Sequence, residues 1–191
     1  MFGKPKKSNP ISFAVIQGSL HPQSSTAVLI DETARVLRAR NIPYDCIDVR
    51  ASDVDVCLTG TQAQIPTPLF ERMAKVDGYI IGMPVYGAVV SGAVKNIIEH
   101  AGEAMRGKGV GLLLSSSGQP TYPASVELVR FLSQFDASIV QPVVHTTPES
   151  FQKGVIFDEE VKLLIQEAID ALLKRCFAQR VARIESAAQN H

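Results

Sequence analysis

The sequence predicts an α/β protein in which a parallel sheet is covered by helices on both faces. Three observations lead to this prediction. Short apolar runs, such as 11–16 and 78–83, are typical of buried strands. Segments with apolar residues at helical spacing follow them, as in 94–105 and 158–173. Strands that alternate with helices favour a parallel sheet, and right-handed crossovers then place helices on both of its faces.

Five strands are predicted, at 11–16, 44–49, 78–83, 110–114 and 138–144. The third is expected to end at Met83, because Pro84 lacks an amide hydrogen and restricts the residue before it. The fifth is expected to be interrupted by Pro142. Helices are predicted at 28–37, 68–75, 96–105 and 124–135, and from Asp158 to a frayed end at 183–191.

One domain suits the chain length, with a flexible leader at 1–10, a single domain at 11–180 and a tail at 181–191. Residues 50–65 show no clear period and predict a functional loop or surface excursion.

Composition excludes several classes of function. The net charge of zero gives no basic footprint for nucleic acid or an anionic membrane, and no apolar run approaches a bilayer span. The three cysteines and four histidines lack the spacing of metal ligands or of a disulfide framework. We therefore expect no nucleic acid, no membrane and no metal, and a cytoplasmic location in the absence of a signal-type segment.

Three loops are expected to meet where a ligand would bind. Ligands of open α/β sheets bind at the carboxyl ends of the strands. The loops 18–26, 82–96 and 115–119 follow the first, third and fourth predicted strands, so separate parts of the chain should share one site.

The first of these loops carries hydroxyl groups just before a helix. Ser19, Ser24, Ser25 and Thr26 can donate hydrogen bonds to phosphate oxygens, and a helix N-terminus favours an anion. The loop has neither the dinucleotide nor the Walker glycine pattern. A cluster of helix-capping residues remains the alternative.

The second loop is long and apolar, and Tyr86 provides a flat ring at its tip. It predicts a wall for a planar ligand; the alternative is a loop that only covers the core. No Ser-His-Asp or Cys-His arrangement is recognisable. Phosphate donors, an aromatic wall and no acid–base pair favour a cofactor that carries its own chemistry, and flavin mononucleotide (FMN) fits these features.

The Gly-Ser loop, the segment Pro84-Val85-Tyr86 with 91–96, and the Ser-Gly loop after the fourth strand resemble the NADPH-dependent FMN reductase family. The resemblance covers residues 11–175 and implies a flavodoxin-like fold with strand order 2-1-3-4-5. It implies that FMN and NADPH (or NADH) bind, and that no side chain is itself catalytic. The implied cofactor-binding residues are Ser19, His21, Ser24, Ser25, Thr26, Pro84, Val85, Tyr86, Gly87, Ser115, Ser116 and Gly118.

The implied activity is hydride transfer from NAD(P)H to FMN, in an enzyme that supplies reduced flavin to a flavin-dependent monooxygenase. A homodimer or homotetramer is implied as well. Two alternatives stay open: a quinone or azo-compound reductase with tightly held FMN, and a flavin-binding electron carrier without enzymatic activity.

One residue departs from the family pattern. Arg is usual two residues after the first-loop serine, whereas this chain has His21. An imidazole is only partly protonated near neutral pH and lacks the forked geometry of a guanidinium. We therefore expect weaker or pH-dependent FMN binding, or in the extreme case a protein that has lost its flavin.

Overall fold

The structure is a computed structural model, and it describes residues 9–51, 68–118 and 122–189. Most of the predicted leader, most of the segment 50–65 and the last two residues of the chain lie outside the described residues. The helices and strands are β1 (Phe13–Gln17), α1 (Ser25–Ala39), β2 (Tyr44–Asp48), α2 (Pro68–Ala74), β3 (Gly78–Val85), α3 (Gly92–Ala101), β4 (Gly109–Ser116), α4 (Tyr122–Ser133), β5 (Ser138–Ile139), β6 (Val144–Thr146), β7 (Phe151–Gln152), β8 (Val155–Ile156) and α5 (Glu159–Gln189).

The main sheet is parallel and has the order β2-β1-β3-β4-β5, with β6 also paired to β4. The predicted α/β class and the order 2-1-3-4-5 are therefore confirmed. In the fifth position, β5 pairs beside Gly109 and β6 pairs beside Ser115. The expected interruption around Pro142 separates these two short strands.

Alternating side chains of the strands form two apolar layers, one on each face. Phe13 and Val15 pack with α1 and α5, while Ala14 and Ile16 pack with α2, α3 and α4. Every residue of β1 and β3 is buried. Burial on both faces explains why these strands are continuous apolar runs and not alternating ones.

The third strand is longer than predicted, since β3 continues through Pro84 to Val85. Gly82 accepts a hydrogen bond from the Gly18 amide on the β1 side, at 2.8 Å. Pro84, two residues further, faces the same side, where β1 has already ended. The missing N–H of Pro84 therefore removes no hydrogen bond from the sheet, and Val85 still pairs beside Ser116 of β4.

Two further features differ from the sequence predictions. The antiparallel hairpin of β7 and β8 was not predicted, because each strand has only two residues. The last helix continues to Gln189 and does not fray at 183.

Side chains hold this helix, α5, at both ends. Asp158 caps its start by accepting a hydrogen bond from the Glu160 amide at 2.9 Å. Arg180, near its end, donates to both carboxylate oxygens of Asp77 at 2.8 Å.

A buried lysine lies at the amino-terminal edge of the sheet, away from the three loops. Lys108 is 8% exposed, and its Nζ donates to the Ala74 carbonyl at 3.1 Å. It also lies 5.4 Å from the centre of the Tyr79 ring. Burial, with a smaller contribution from Arg183, lowers the pKa of Lys108 to about 8. Burial also raises the pKa of the Tyr79 hydroxyl. The hydroxyl therefore stays protonated and gives the Lys108 ammonium group no anionic partner.

We expect the free energy of unfolding to rise with pH from about 8 towards 10.5, the ordinary lysine value. Over that range the unfolded chain binds more protons than the folded protein, so proton release favours folding. Lys108→Met should remove a rise on the order of 1–3 kcal/mol. The measurement is urea unfolding at several pH values, with the exposed Lys174→Met as the control. A Lys108→Met variant that keeps the full rise would contradict the assignment.

Candidate functional site

The loops that follow β1, β3 and β4 meet at the carboxyl edge of the sheet, as predicted. They enclose a groove of about 230 Å³. Its lining comes from the first loop and the start of α1, from the end of β3 and the residue after it, from the end of β4 and the residue after it, and from a single proline after β6. The lining residues are Ser19, His21, Gln23, Ser24, Ser25, Thr26, Pro84, Val85, Tyr86, Ser115, Ser116, Ser117 and Pro148.

Most of the predicted cofactor-binding residues line this groove, but Gly87 and Gly118 do not. Gly87 lies in the turn beyond Tyr86, and the Gly118 carbonyl accepts a hydrogen bond from Ser116. Three lining residues were not predicted. Gln23 and Ser117 lie within the loops 18–26 and 115–119 that were predicted to form the site, whereas Pro148 carries no recognisable signal in the sequence.

The first loop is held by a buried glutamine that sequence reasoning missed. Gln17, at the end of β1, is 3% exposed. Its amide oxygen accepts from the Ser19 main-chain N–H at 2.6 Å, and its amide nitrogen donates to the Ser19 carbonyl at 3.0 Å. Ser19 is thus clamped through both of its main-chain groups. The Ser19 Oγ accepts from the His21 amide at 3.2 Å, and its own proton remains available to a ligand.

Helix α1 begins at this loop and presents its N-terminus to the groove. Ser24 is the N-cap residue, and its Oγ accepts from the Ala27 amide at 3.0 Å. The capping alternative is therefore correct for Ser24. The main-chain N–H groups of Ser25 and Thr26 have no acceptor within the helix, because they belong to its first turn. With the helix dipole, they favour an anion at this end of the groove.

The Thr26 hydroxyl is the least expected feature of the groove. Thr26 is 1% exposed, and its Oγ1 is buried without a hydrogen-bond partner among the described residues. An unpaired buried hydroxyl costs about 1–3 kcal/mol. Since Thr26 also lines the groove, a ligand oxygen placed there would satisfy it.

His21 lies at the rim of the groove and is exposed. Its Nδ1 is 3.1 Å from the Gln23 amide nitrogen and 2.9 Å from the Gln23 carbonyl oxygen. One ring nitrogen is therefore occupied by the main chain of the same loop. Only the other ring nitrogen can meet a ligand, so His21 offers a single contact where an arginine would offer a fork.

The second loop contains a tight turn over Tyr86–Val89. The Val89 amide donates to the Tyr86 carbonyl at 3.2 Å, and Gly87 and Ala88 have φ values of 59° and 62°. Two successive positive φ angles define a type I′ turn. Because alanine has a Cβ, this conformation of Ala88 is sterically unfavourable by on the order of 1 kcal/mol. The turn projects the Tyr86 ring, which is 62% exposed, at the mouth of the groove.

The first and second loops touch at Gly18, and no larger residue fits there. A Cβ on Gly18 would lie 2.3 Å from a Val94 methyl carbon and 2.7 Å from the Gly82 carbonyl oxygen. Ser91 Oγ also donates to the Gly18 carbonyl at 3.3 Å. This close approach places the hydroxyl-rich loop beside the carboxyl end of β3.

In the third loop, Ser116 anchors the main chain. Its Oγ lies 3.2 Å from the Gly118 carbonyl oxygen and 3.3 Å from the Thr146 carbonyl oxygen, so its proton serves the protein. Toward a ligand, the Ser116 hydroxyl can therefore act chiefly as an acceptor. The same hydroxyl connects the loop after β4 to the end of β6, the strand that leads to Pro148.

Apart from His21, the donors that line the groove are hydroxyl, amide and main-chain N–H groups. Its described lining contains no carboxylate, lysine or arginine. Asp48, at the end of β2, is paired with Arg50, whose guanidinium holds the pKa of the Asp48 carboxyl below its ordinary value. Arg50 also reaches the Pro22 carbonyl at 3.5 Å, on the outer side of the first loop. The site has hydroxyl and N–H donors at one end and Pro84, Val85 and Tyr86 at the other.

The sheet order and the groove at the carboxyl edge of the sheet define a flavodoxin-like α/β protein. A family model described as NADPH-dependent FMN reductase matches residues 11–150. Since this match spans well over half of the chain, the protein belongs to the NADPH-dependent FMN reductase family. Membership supports NAD(P)H-dependent reduction of FMN as the activity of the enzyme, with FMN and NAD(P)H as its ligands.

Solved structures show the same fold. The apo form of an NADH:FMN oxidoreductase (EMOB) superposes with a TM-score of 0.71 at 23% identity, covering 85% of this chain and 88% of that one. The NAD(P)H:(acceptor) oxidoreductase FerB from Paracoccus denitrificans gives 0.67 at 17% identity, covering 88% and 98%. An archaeal flavodoxin gives 0.58 at 12% identity, covering 85% and 96%. A search of curated protein sequences found no match.

Two further observations concern metals and membranes. Within residues 9–51, 68–118 and 122–189, no group of His, Cys, Asp and Glu side chains is arranged to hold a metal ion. None of the helices in the described part of the chain has the combined length and hydropathy of a bilayer span.

Thr26→Val should separate folding from flavin binding. The substitution removes an unpaired buried hydroxyl and keeps the shape, so the free energy of unfolding without ligand should stay within about 1 kcal/mol of wild type or rise. FMN binding should weaken about tenfold or more, because a hydrogen bond to a charged phosphate is lost. Chemical denaturation and quenching of FMN fluorescence measure the two effects.

Thr33→Val is the matched control for this prediction. Thr33 is also buried in α1, but its hydroxyl already donates to the Leu29 carbonyl at 2.8 Å, away from the groove. It should leave FMN affinity unchanged. Equal FMN affinity of Thr26→Val and wild type would show that Thr26 does not contact the ligand.

Proposed function

We propose that the groove at the carboxyl edge of the sheet holds FMN and that a reduced nicotinamide dinucleotide binds against its ring. The observation that carries this proposal is the buried Thr26 hydroxyl, which lies beside the open N-terminus of α1 and has no hydrogen-bond partner within residues 9–51, 68–118 and 122–189. Such an arrangement is stabilised by an anion with several acceptor oxygens, which describes the phosphate of FMN.

The phosphate end is assigned to the first loop and the start of α1. Donors come from the hydroxyls of Ser19 and Thr26 and from the main-chain N–H groups of Ser25 and Thr26. Ser24 supports them as the helix cap, and Gln17 holds the loop in place. Because these donors are neutral and preorganised, they can bind the phosphate without a permanently charged side chain.

The ring end is assigned to Pro84, Val85 and Tyr86 on one side and to Ser115 and Ser116 on the other. Pro84 and Val85 are buried in β3 and give a rigid apolar floor, whereas Tyr86 is free to pack beside the ring. When bound, FMN would supply the redox chemistry, as the acceptor of a hydride from the nicotinamide. These residues would position the ring.

The described lining supplies no acid–base pair, so we assign no catalytic side chain. Hydride transfer to a flavin requires none, since holding the two rings in contact is itself the main contribution. The groove therefore suits a reductase better than a hydrolase or a transferase.

We also propose that the protein is a homodimer or homotetramer that supplies reduced FMN to a flavin-dependent monooxygenase. Exposed apolar side chains of the Tyr86–Val89 turn support assembly, since Tyr86 and Val89 are 62% and 52% exposed. The proposed link to a monooxygenase and the proposed cytoplasmic location rest on the sequence resemblance.

The proposed function is tested by one assay on the purified protein. Its visible spectrum is recorded, and the oxidation of NADPH and NADH is followed at 340 nm with and without added FMN. We expect oxidation that depends on FMN. A colourless protein that needs added FMN would be a flavin reductase that uses FMN as substrate.

Other outcomes of this assay point elsewhere. A yellow protein that oxidises NAD(P)H only with quinones or azo compounds would support a reductase with resident FMN. A yellow protein without any NAD(P)H oxidation would support an electron carrier. A protein that neither binds FMN nor oxidises NAD(P)H would overturn the proposed function.

His21→Arg should tighten FMN binding about three- to tenfold at low salt, because a guanidinium adds a permanent charge and a second donor at the phosphate end. The gain should shrink at high salt, since His21 lies at an exposed rim. His21→Gln is the neutral control. If the Arg and Gln variants bind FMN equally at low salt, His21 does not face the phosphate.

A further inference from the structure

A cluster of side chains between α3 and α4 lies outside the groove and has no role in the function proposed above. A surface cavity of about 360 Å³ is lined by Lys95 from α3, by Glu127, Arg130 and Phe131 from α4, and by Gln134 directly after α4. Within it, Glu127 makes a contact that its neighbours do not: it binds the main chain of the loop that carries Tyr86.

The contact is a short hydrogen bond. Glu127 Oε2 accepts from the Val90 main-chain N–H at 2.7 Å. The other carboxylate oxygen, Oε1, lies 3.5 Å from Lys95 Nζ. The Glu127 side chain is 28% exposed, so water screens this arrangement only in part. A carboxylate on a main-chain N–H forms a charge-assisted bond, which is stronger than a bond between neutral groups.

Lys95 is itself held in place, which fixes the carboxylate that it faces. Its Nζ lies 4.9 Å from the centre of the Phe131 ring, within the range of a cation–π interaction. Phe131 and Glu127 are one turn apart on α4 and therefore share a face of that helix. Lys95, Glu127 and Phe131 thus form one unit that positions a single carboxylate oxygen of Glu127.

Val90 is the point at which the ring-binding loop needs support. It follows the type I′ turn at once, and it is 5% exposed. On its other side Ser91 caps α3 and binds Gly18. Between Val85 and Ser91, the turn is closed by its own Val89 bond and contains the strained Ala88. Strained conformations persist only where surrounding contacts hold them. The Glu127 bond is the contact from a second helix that does so.

We infer that Glu127 is a positioning residue for the flavin ring: it fixes the Tyr86–Val90 turn through the Val90 amide, and Lys95 orients it. This inference rests on the proposed function. It concerns a residue that does not line the groove. Its effect on the ring end of the site passes through the main chain of the second loop.

The alternative is that Glu127 and Lys95 form an ordinary surface ion pair. Such pairs contribute little, and their loss would leave ligand binding unchanged. The two interpretations differ in which property of the Glu127 side chain is required. An ion pair needs the charge, whereas the positioning role needs an acceptor oxygen at Val90. A glutamine keeps the acceptor and loses the charge, and it therefore separates them.

The experiment compares Glu127→Ala, Glu127→Gln and Lys95→Met with wild type. Glu103→Gln is the control, because Glu103 forms an exposed ion pair with Arg106 away from the groove. For each protein we would measure the Kd for FMN, the KM and kcat of NAD(P)H oxidation against FMN, and hydrogen exchange at the Val90 amide. Thermal unfolding without ligand shows whether each variant folds.

In Glu127→Ala we expect the Kd and KM for FMN to rise about tenfold, while kcat at saturating FMN changes less than threefold. Exchange at the Val90 amide should quicken by at least tenfold. Glu127→Gln should recover most of the affinity, to within about threefold of wild type, and Lys95→Met should fall between the two. Glu103→Gln should match wild type in all three measurements.

Two results would overturn the inference. One is wild-type FMN affinity in Glu127→Ala despite faster exchange at Val90, which would leave the hydrogen bond without a role in binding. The other is an equal loss of affinity in Glu127→Gln and Glu127→Ala, which would assign the effect to charge. Failure of the proposed function looks different, because wild type itself would then neither bind FMN nor oxidise NAD(P)H; that result would end this inference as well.

Discussion

The close approach of two loops at Gly18 is the constraint on which the site depends. The Gly18 amide donates to Gly82 at 2.8 Å, and its carbonyl accepts from Ser91, so β1, β3 and α3 converge on one residue. A side chain there would collide with Val94 and with the main chain of Gly82. Because the contact is so tight, the helix N-terminus after the first loop and the apolar end of β3 become two ends of a single groove.

The proposed site would bind a ligand through preorganised groups that carry little charge. Its donors are hydroxyls and main-chain N–H groups, which the fold holds in place through Gln17, the Ser24 cap and the dipole of α1. The cost of this arrangement is visible in the unpaired Thr26 hydroxyl. The second loop follows the same principle at the ring end, where a strained turn is held by Ser91 on one side and by Glu127 on the other. Both ends thus carry a local cost that a bound ligand or a neighbouring helix offsets.

Much of the site could be predicted because parallel strands place their carboxyl ends at one edge. Once Ser19, Pro84 and Ser115 were located after three such strands, their meeting in space followed from the fold class alone. Other features could not be predicted, because they depend on what lies beside a segment. Pro84 remains within β3 because β1 has already ended next to it, and the role of Gln17 depends on the backbone path of Ser19.

The sequence by itself determined the alternation of strands and helices, the positions of the hydroxyl-rich and apolar loops, and the resemblance that placed the chain in its family. Periodicity and composition carry that information locally, within windows of ten to twenty residues. Only the tertiary structure decided which polar atoms have a hydrogen-bond partner. It paired the Val90 amide with Glu127, 37 residues away, and it left the Thr26 hydroxyl without a partner in the part of the chain that the structure describes. Hydrogen bonds of this kind join segments that are distant in the chain, so no local pattern records them.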